Sequence, residues 1–208
     1  MDELLRETGK FHGEIGHGVA IGLKMCLAVK KAFGIESFKE IEGVSIVETS
    51  RCVPDAIQYI VHSCAGNRRL IIKDYGKLAT TFIDRKTMKA YRVSVKPDIF
   101  KSKRWEEILK IKGESGVKDD ELQAFEILKI PDDELFIVKE VKVRVPVPAK
   151  RPCECLMHGK YFCSVCGESV AERALKLQNG SPVCVTCSDA EAVKCINIEK
   201  ERYWEPCA

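Results

Sequence analysis

The longest apolar-rich stretch of the chain runs from Gly18 to Phe33, broken by Lys24, Lys30 and Lys31. The pattern predicts a helix over Val19 to Phe33 that is apolar on most sides, the signature of a helix buried at a domain's centre. Gly34 follows it, where a left-handed C-terminal residue is wanted. Residues 2–9 predict a short helix, and Phe11 to Gly18 a glycine-punctuated turn. Val44-Ser-Ile-Val-Glu-Thr49 alternates like a strand. Pro54 suits the first turn of a second helix running through Val61. Three β-like runs follow, Arg69–Lys73, Leu78–Ile83 and Ala90–Val95, separated by turns at Asp74–Lys77 and Asp84–Lys89. Such short connections favour antiparallel pairing. Residues 103–112 and 119–129 predict helices, and Glu134 to Val145 a long final strand. The order implies an α+β fold, an antiparallel sheet packed with helices.

Pro146, Pro148 and Pro152 stiffen a linker, so the expected division is an α+β core domain over residues 1–150 and a small cysteine-rich domain over 151–208. Eight of the eleven cysteines lie in that second part. The opening segment MDELLRETGK has no apolar secretory core, and no stretch is long and uncharged enough to span a bilayer. A cytoplasmic protein is the expectation, with no membrane association. In a reducing compartment clustered cysteines point to metal rather than disulfides.

Cys163-x2-Cys166 and Cys184-x2-Cys187 each form a tight knuckle that aims two sulfurs at one point, meeting zinc's demand for a tetrahedron of thiolates. The 17 residues between the pairs suffice for a β-hairpin, and Asn179-Gly180 supplies its turn. A short helix over Ser188 to Val193 would complete a treble-clef-like zinc finger. The unit is too small to fold on its own core, so metal would supply its stability. Cys153, Cys155 and His158, completed by Cys195 or Cys207, are candidate ligands for a second metal ion; the alternative is a set of reduced thiols. Residues 151–208 carry seven Lys/Arg against eight Asp/Glu, which leaves the first 150 at +4 of the overall +3. That acidic balance disfavours nucleic acid as a partner, because phosphate contacts need a basic patch.

Polar chemistry gathers at His12-Gly-Glu-Ile-Gly-His17-Gly18, just before the buried helix. Two imidazoles five apart can converge on a metal or an anion, and the helix N-terminus adds positive potential. This turn, with Gly22, Cys52-x2-Asp55-Ala-Ile-Gln58, Cys64 and Asp74-Tyr-Gly-Lys77, resembles the E-subunit family of formylmethanofuran dehydrogenase, long form with a C-terminal zinc finger. The resemblance covers nearly the whole chain. It implies an α+β core that forms a homodimer and a pocket lined by His12, Glu14, His17, Cys52, Asp55, Gln58 and Cys64. The family's turn reads Phe-His-Gly-His-x-Cys-Pro-Gly; here Glu14, Gly16 and His17 replace the second His, the Cys and the Pro, so the thiol of that turn is absent. Each pocket residue also has a plainer role available. Cys52 and Cys64 can serve as small core residues, and Asp55 can serve the dipole of its helix. Cys26 belongs to the core.

Three function classes remain. The first is an auxiliary metalloprotein of one-carbon or molybdopterin/tungsten enzyme metabolism, whose finger docks a protein partner. The second is a metal-dependent enzyme acting on a small anionic substrate between His12 and His17. The third, a nucleic-acid-binding regulator, is the one the charge of the tail weakens. No phosphate loop, Ser-His-Asp set or dinucleotide fingerprint names a reaction or identifies catalytic residues.

Overall fold

A computed structural model describes residues 1–114, 116–144, 161–170, 175–188 and 203–207. The chain divides into two compact units, Met1–Pro148 with Ile196–Ala208, and Ala149–Cys195.

In the larger unit the buried helix is α2 (His17–Phe33), flanked by α1 (Asp2–His12) and followed later by α3 (Val53–Val61). Val19, Leu23, Met25, Cys26 and Val29 are all sealed from solvent, as an all-round apolar helix requires. Lys24 is the exception on this helix. Its ammonium reaches the end of a neighbouring helix, pairing with Asp132 at 3.0 Å and donating to the Leu128 carbonyl at 3.2 Å, so the buried charge is compensated. Gly34 closes α2 at φ 69°.

Gly18 and Gly22, one turn apart, let α2 and α3 approach at backbone distance. A Cβ on Gly22 would stand 2.7 Å from Cβ of Ala56 and 3.2 Å from Cα of Val53. Helices α4 (Lys103–Leu109) and α5 (Asp119–Leu128) and the helical turn α6 (Asp132–Leu135) complete this layer.

The helices lie on one face of a six-stranded sheet formed by β1 (Gly43–Val47), β2 (Leu70–Ile72), β3 (Ala79–Asp84), β4 (Ala90–Val95), β5 (Phe136–Val143) and β8 (Trp204–Pro206). Strands β6 (Leu175–Gln178) and β7 (Ser181–Cys184) belong to the smaller unit. The sheet order is β2-β1-β3-β4-β5-β8. β3 and β4 form the antiparallel hairpin expected of a short connection; β5, reached only after α4, α5 and α6, adds antiparallel to β4, and β1 adds antiparallel to β3. β2 departs from the expectation and pairs parallel with β1, Ser45 opposite Leu70. The cause is α3, a crossover inserted between the two strands that returns the chain in its original direction. Residues 134 and 135, expected as the start of the final strand, instead belong to α6.

The sheet's other face is also buried, around Val44, Ile46, Ile83, Ala90, Val141 and Tyr203. Here the expected boundary needs correction. Residues 203–207 do not continue the cysteine-rich unit: β8 pairs with β5, Trp204 opposite Val143 and Pro206 opposite Val141. The smaller unit is therefore an excursion in sequence between two adjacent antiparallel strands. The last stretch of an apolar sheet face needs cover, and Tyr203 and Trp204 supply it.

In the smaller unit β6 (Leu175–Gln178) and β7 (Ser181–Cys184) form the hairpin. Asn179 and Gly180 take φ 51° and 78°, the doubly positive turn that matches strand twist. Except for Ser188, the helix expected over Ser188–Val193 lies outside the described residues.

Candidate functional site

The two Cys-x2-Cys knuckles converge. The four sulfurs of Cys163, Cys166, Cys184 and Cys187 all lie within 4.8 Å of one another. A tetrahedron with zinc–sulfur bonds of about 2.3 Å has an edge of about 3.8 Å, and the sulfurs of Cys166 and Cys184 are 3.9 Å apart. The donor set therefore fits a four-coordinate thiophilic ion with no position left open. Backbone amides already turn toward the sulfurs, from Cys184 at 3.3 Å and Val165 at 3.4 Å onto Cys163. The amides of Cys184 and Cys166 hold the Cys163 thiol down to about 6, while the hydrogen bond with Cys184 pushes the Cys187 thiol up to about 12; a metal would take all four as thiolates. Among the described residues this is the one such group of three or more His, Cys, Asp or Glu. Of the residues proposed for a second ion, Cys153, Cys155, His158 and Cys195 lie outside the described residues. Cys207 follows β8 and donates its amide to the Glu140 carbonyl at 3.3 Å.

The second constellation forms where α1, α2 and α3 meet. His12 is not on a loop but in the last turn of α1, which Gly13 terminates at φ 103°. Its Nδ1 stands 2.7 Å from Oδ2 of Asp55 in the first turn of α3, and Gln58 donates from Nε2 to Oδ1 of the same carboxylate at 3.0 Å. A carboxylate at Nδ1 fixes the proton there and leaves Nε2 with its lone pair, the arrangement that orients a metal-binding or basic imidazole.

Cys52 precedes α3 with φ 44° and ψ −52°. The amide of Val53 donates to the Arg51 carbonyl across it, closing a γ-turn of the strained, positive-φ kind. Its side chain lies against α2, since a Cβ on Gly18 would come within 2.6 Å of Cβ and 3.1 Å of Sγ of Cys52. Burial, followed by the carboxylates of Asp55 and Glu14, pushes the Cys52 thiol above its ordinary value. Glu14 is itself paired at 3.0 Å with Lys118, which holds its carboxyl below the usual range.

His17 faces a different helix. Its Nε2 meets Oε1 of Gln123 on α5 at 2.7 Å, with Asp120 at 3.8 Å and the Trp105 ring edge-on at 6.0 Å. The bonded nitrogens of the two imidazoles turn to different helices, that of His12 to α3 and that of His17 to α5. Cys64 also stands apart: it follows the far end of α3, its sulfur 3.9 Å from the Gln58 carbonyl. His12, Asp55, Gln58, Glu14 and Cys52 share one corner of the fold.

Gln123 was not among the expected site residues. It is buried and donates to the Leu109 and Ile111 carbonyls at 3.4 and 2.9 Å. Its signal was available: it sits one helical turn before Ile127, a polar residue on the apolar stripe of α5.

The fold and sites thus define an α+β protein with a four-cysteine metal-binding unit and a carboxylate-oriented histidine at a helix junction. Residues 11–137 match the family described as FmdE, molybdenum formylmethanofuran dehydrogenase operon, and the chain belongs to that family. A solved structure of a tungsten formylmethanofuran dehydrogenase FmdE-like protein from Syntrophus aciditrophicus superposes with a TM-score of 0.62 at 27% identity, covering 89% of this chain and 90% of the other. A curated relative from Archaeoglobus fulgidus, named a probable S-adenosyl-L-methionine-binding protein, is 30% identical over 176 residues, 74% of this chain. The match spans about half, 48%, of that relative's length. Among the described residues no helix is long and apolar enough to cross a membrane.

Proposed function

We propose that this is a zinc-containing auxiliary protein of one-carbon or molybdopterin/tungsten enzyme metabolism. The core is a homodimer that binds a metal ion or small ligand at the α1/α3 junction, and the four-cysteine unit docks a protein partner. The observation that carries this reading is the 2.7 Å contact from His12 Nδ1 to Asp55, because a carboxylate at Nδ1 leaves Nε2 as the nitrogen available to a ligand. A divalent ion held there would act as a Lewis acid toward an oxygen-bearing ligand. Cys163, Cys166, Cys184 and Cys187 fill a zinc coordination sphere and leave no position for substrate, which makes their role structural.

The test is calorimetric titration of zinc and nickel into protein already carrying its four-cysteine ion. Binding beyond that ion should be lost in His12→Ala and weakened on the order of 10–100-fold in Asp55→Asn, the usual effect of removing a ligand's orienting partner. If the wild type takes up no further ion, and His12→Ala merely destabilises the fold, the junction is a structural network and the reading fails.

A second reading is favoured by Phe11 and Tyr59, whose rings lie 5.8 Å apart across the same α1/α3 junction, with Phe11 53% exposed. Aromatic faces beside the carboxylate of Asp55 suit a cationic nucleoside such as S-adenosylmethionine. Calorimetry against S-adenosylmethionine and its uncharged thioether product decides it: tighter binding of the sulfonium supports the reading, and no binding of either ends it.

A further inference from the structure

Tyr203 is buried at 1% exposure, and its phenol oxygen lies 2.9 Å from Oε1 of Glu48 and 2.9 Å from Oγ1 of Thr81. Glu48 is equally buried and receives the fork of Arg92, Nε to Oε1 and Nη2 to Oε2 both at 2.8 Å. The Trp204 ring covers that guanidinium, 4.6 Å from Cζ to its centroid. Lys73 sits 5.7 Å over the Tyr203 ring. The residues that return after the cysteine-rich unit thus clasp a charge pair on the sheet face opposite the helices.

Glu48 is also the first residue after β1, four before Cys52. Its carbonyl accepts the amides of Tyr75 and Lys77, each at 3.0 Å, and Ser50 donates to Asp74 at 2.5 Å. The segment from Glu48 to Arg51 is therefore pinned along its length before it enters the strained turn. A non-glycine residue at φ 44° is strained and persists only where its surroundings over-determine it. Downstream, α3 and Gly18 hold one side of Cys52. Upstream, the hold runs through Glu48.

We propose that Tyr203 and Trp204 are positioning residues for the Cys52 turn, acting through Arg92 and Glu48. The C-terminal strand is thereby part of the α1/α3 site without touching it. Cys52 belongs to that proposed site, but its turn has a geometry whether or not a ligand binds, so thiol alkylation tests the clasp while metal titration tests the site.

The experiment follows alkylation of the full-length, metal-loaded protein by iodoacetamide at fixed pH, with Cys52 and Cys26 resolved by peptide mass spectrometry. Tyr203→Phe removes one hydroxyl and keeps the ring; Trp204→Leu uncovers Arg92 and leaves Glu48 and Tyr203 in place. Losing one partner from a buried charged network shifts a local opening equilibrium by about tenfold. Cys52 should therefore react about tenfold faster in Tyr203→Phe, less so in Trp204→Leu, while core-buried Cys26 stays protected. Equal Cys52 rates in wild type and both variants would overturn the proposal. So would Cys26 and Cys52 rising together, which marks general loosening of the fold. Should Tyr203→Phe not fold, Trp204→Leu alone decides between these outcomes.

Discussion

His12 and Asp55, 43 residues apart in sequence, meet at 2.7 Å, a polar contact that ties the end of α1 to the start of α3. His17, five residues after His12, is fastened instead to Gln123 on α5. The glycine-rich turn thus anchors two different helices, and only one of its imidazoles keeps the environment of a ligand. His12→Ala should abolish ion uptake at the junction and leave the ion of the cysteine knuckles in place, whereas His17→Ala should lower the melting temperature with ion uptake retained.

The four-cysteine assignment predicts that Cys163→Ser lowers the zinc content measured by elemental analysis by about one ion per chain. Amide signals of β6 and β7 should broaden or collapse, and the thermal transition of the helical core should persist. Unchanged zinc content would falsify the ligand set.

Gly22 and Gly16 should respond oppositely to added bulk. At Gly22 a Cβ meets Ala56 and the Val53 backbone, so Gly22→Ala should cost about 1–3 kcal/mol in urea denaturation, the usual penalty of overpacking. Gly16 has extended backbone, φ −156°, and open space where its Cβ would go. Gly16→Cys, which restores the family's thiol to the turn, should change stability by no more than about 0.5 kcal/mol and should strengthen binding of thiophilic ions.

Truncation after Lys150 should not leave an intact core. It removes β8, uncovers the second sheet face and takes the phenol from Glu48. Losing a buried aromatic side chain and one hydrogen bond to a charge amounts to roughly 3–5 kcal/mol. A variant that replaces the excursion by a short linker and keeps residues 203–208 should recover most of that loss. Comparing the two urea midpoints checks the prediction.

Acid should loosen the α2–α6 contact in a defined sense. Burial alone would raise the Asp132 carboxyl, but hydrogen bonds from Lys31 and Lys24 outweigh it and hold the group below its ordinary value. A carboxyl depressed in the folded state contributes stability that is fully present above its unfolded value, near 4, and fades as pH falls through the lower, folded one. Asp132→Asn should therefore flatten the acid limb of the stability profile and lower stability at neutral pH.

Much of this architecture is legible in the chain. The apolar run of α2, the alternation in β1, the β-like runs of β3 and β4 and the knuckle spacing are local patterns that select one structure. The parallel pairing of β2 was hidden because strand direction depends on where α3 carries the chain, not on the strand's own residues. The return of Tyr203 was hidden for a related reason: its partner Glu48 lies 155 positions away. Glu48 carried a signal nonetheless. It continues the inward-facing series Val44 and Ile46, and an acid at such a position calls for a buried partner. The different partners of His12 and His17 hinged on Gln123, a side chain of a helix that sequence alone could not place beside the turn.

The position of the cysteine-rich unit between β5 and β8 also bears on how the chain is made. Tyr203 leaves the ribosome only after every ligand of the four-cysteine ion has emerged, so throughout synthesis the Glu48–Arg92 pair waits without its phenol and β5 remains an unpaired edge. Completion of the sheet is consequently a late, long-range closure, slow by nature because so much chain must be ordered first. A nascent chain that acquires its metal early would have less slack to gather at that final step.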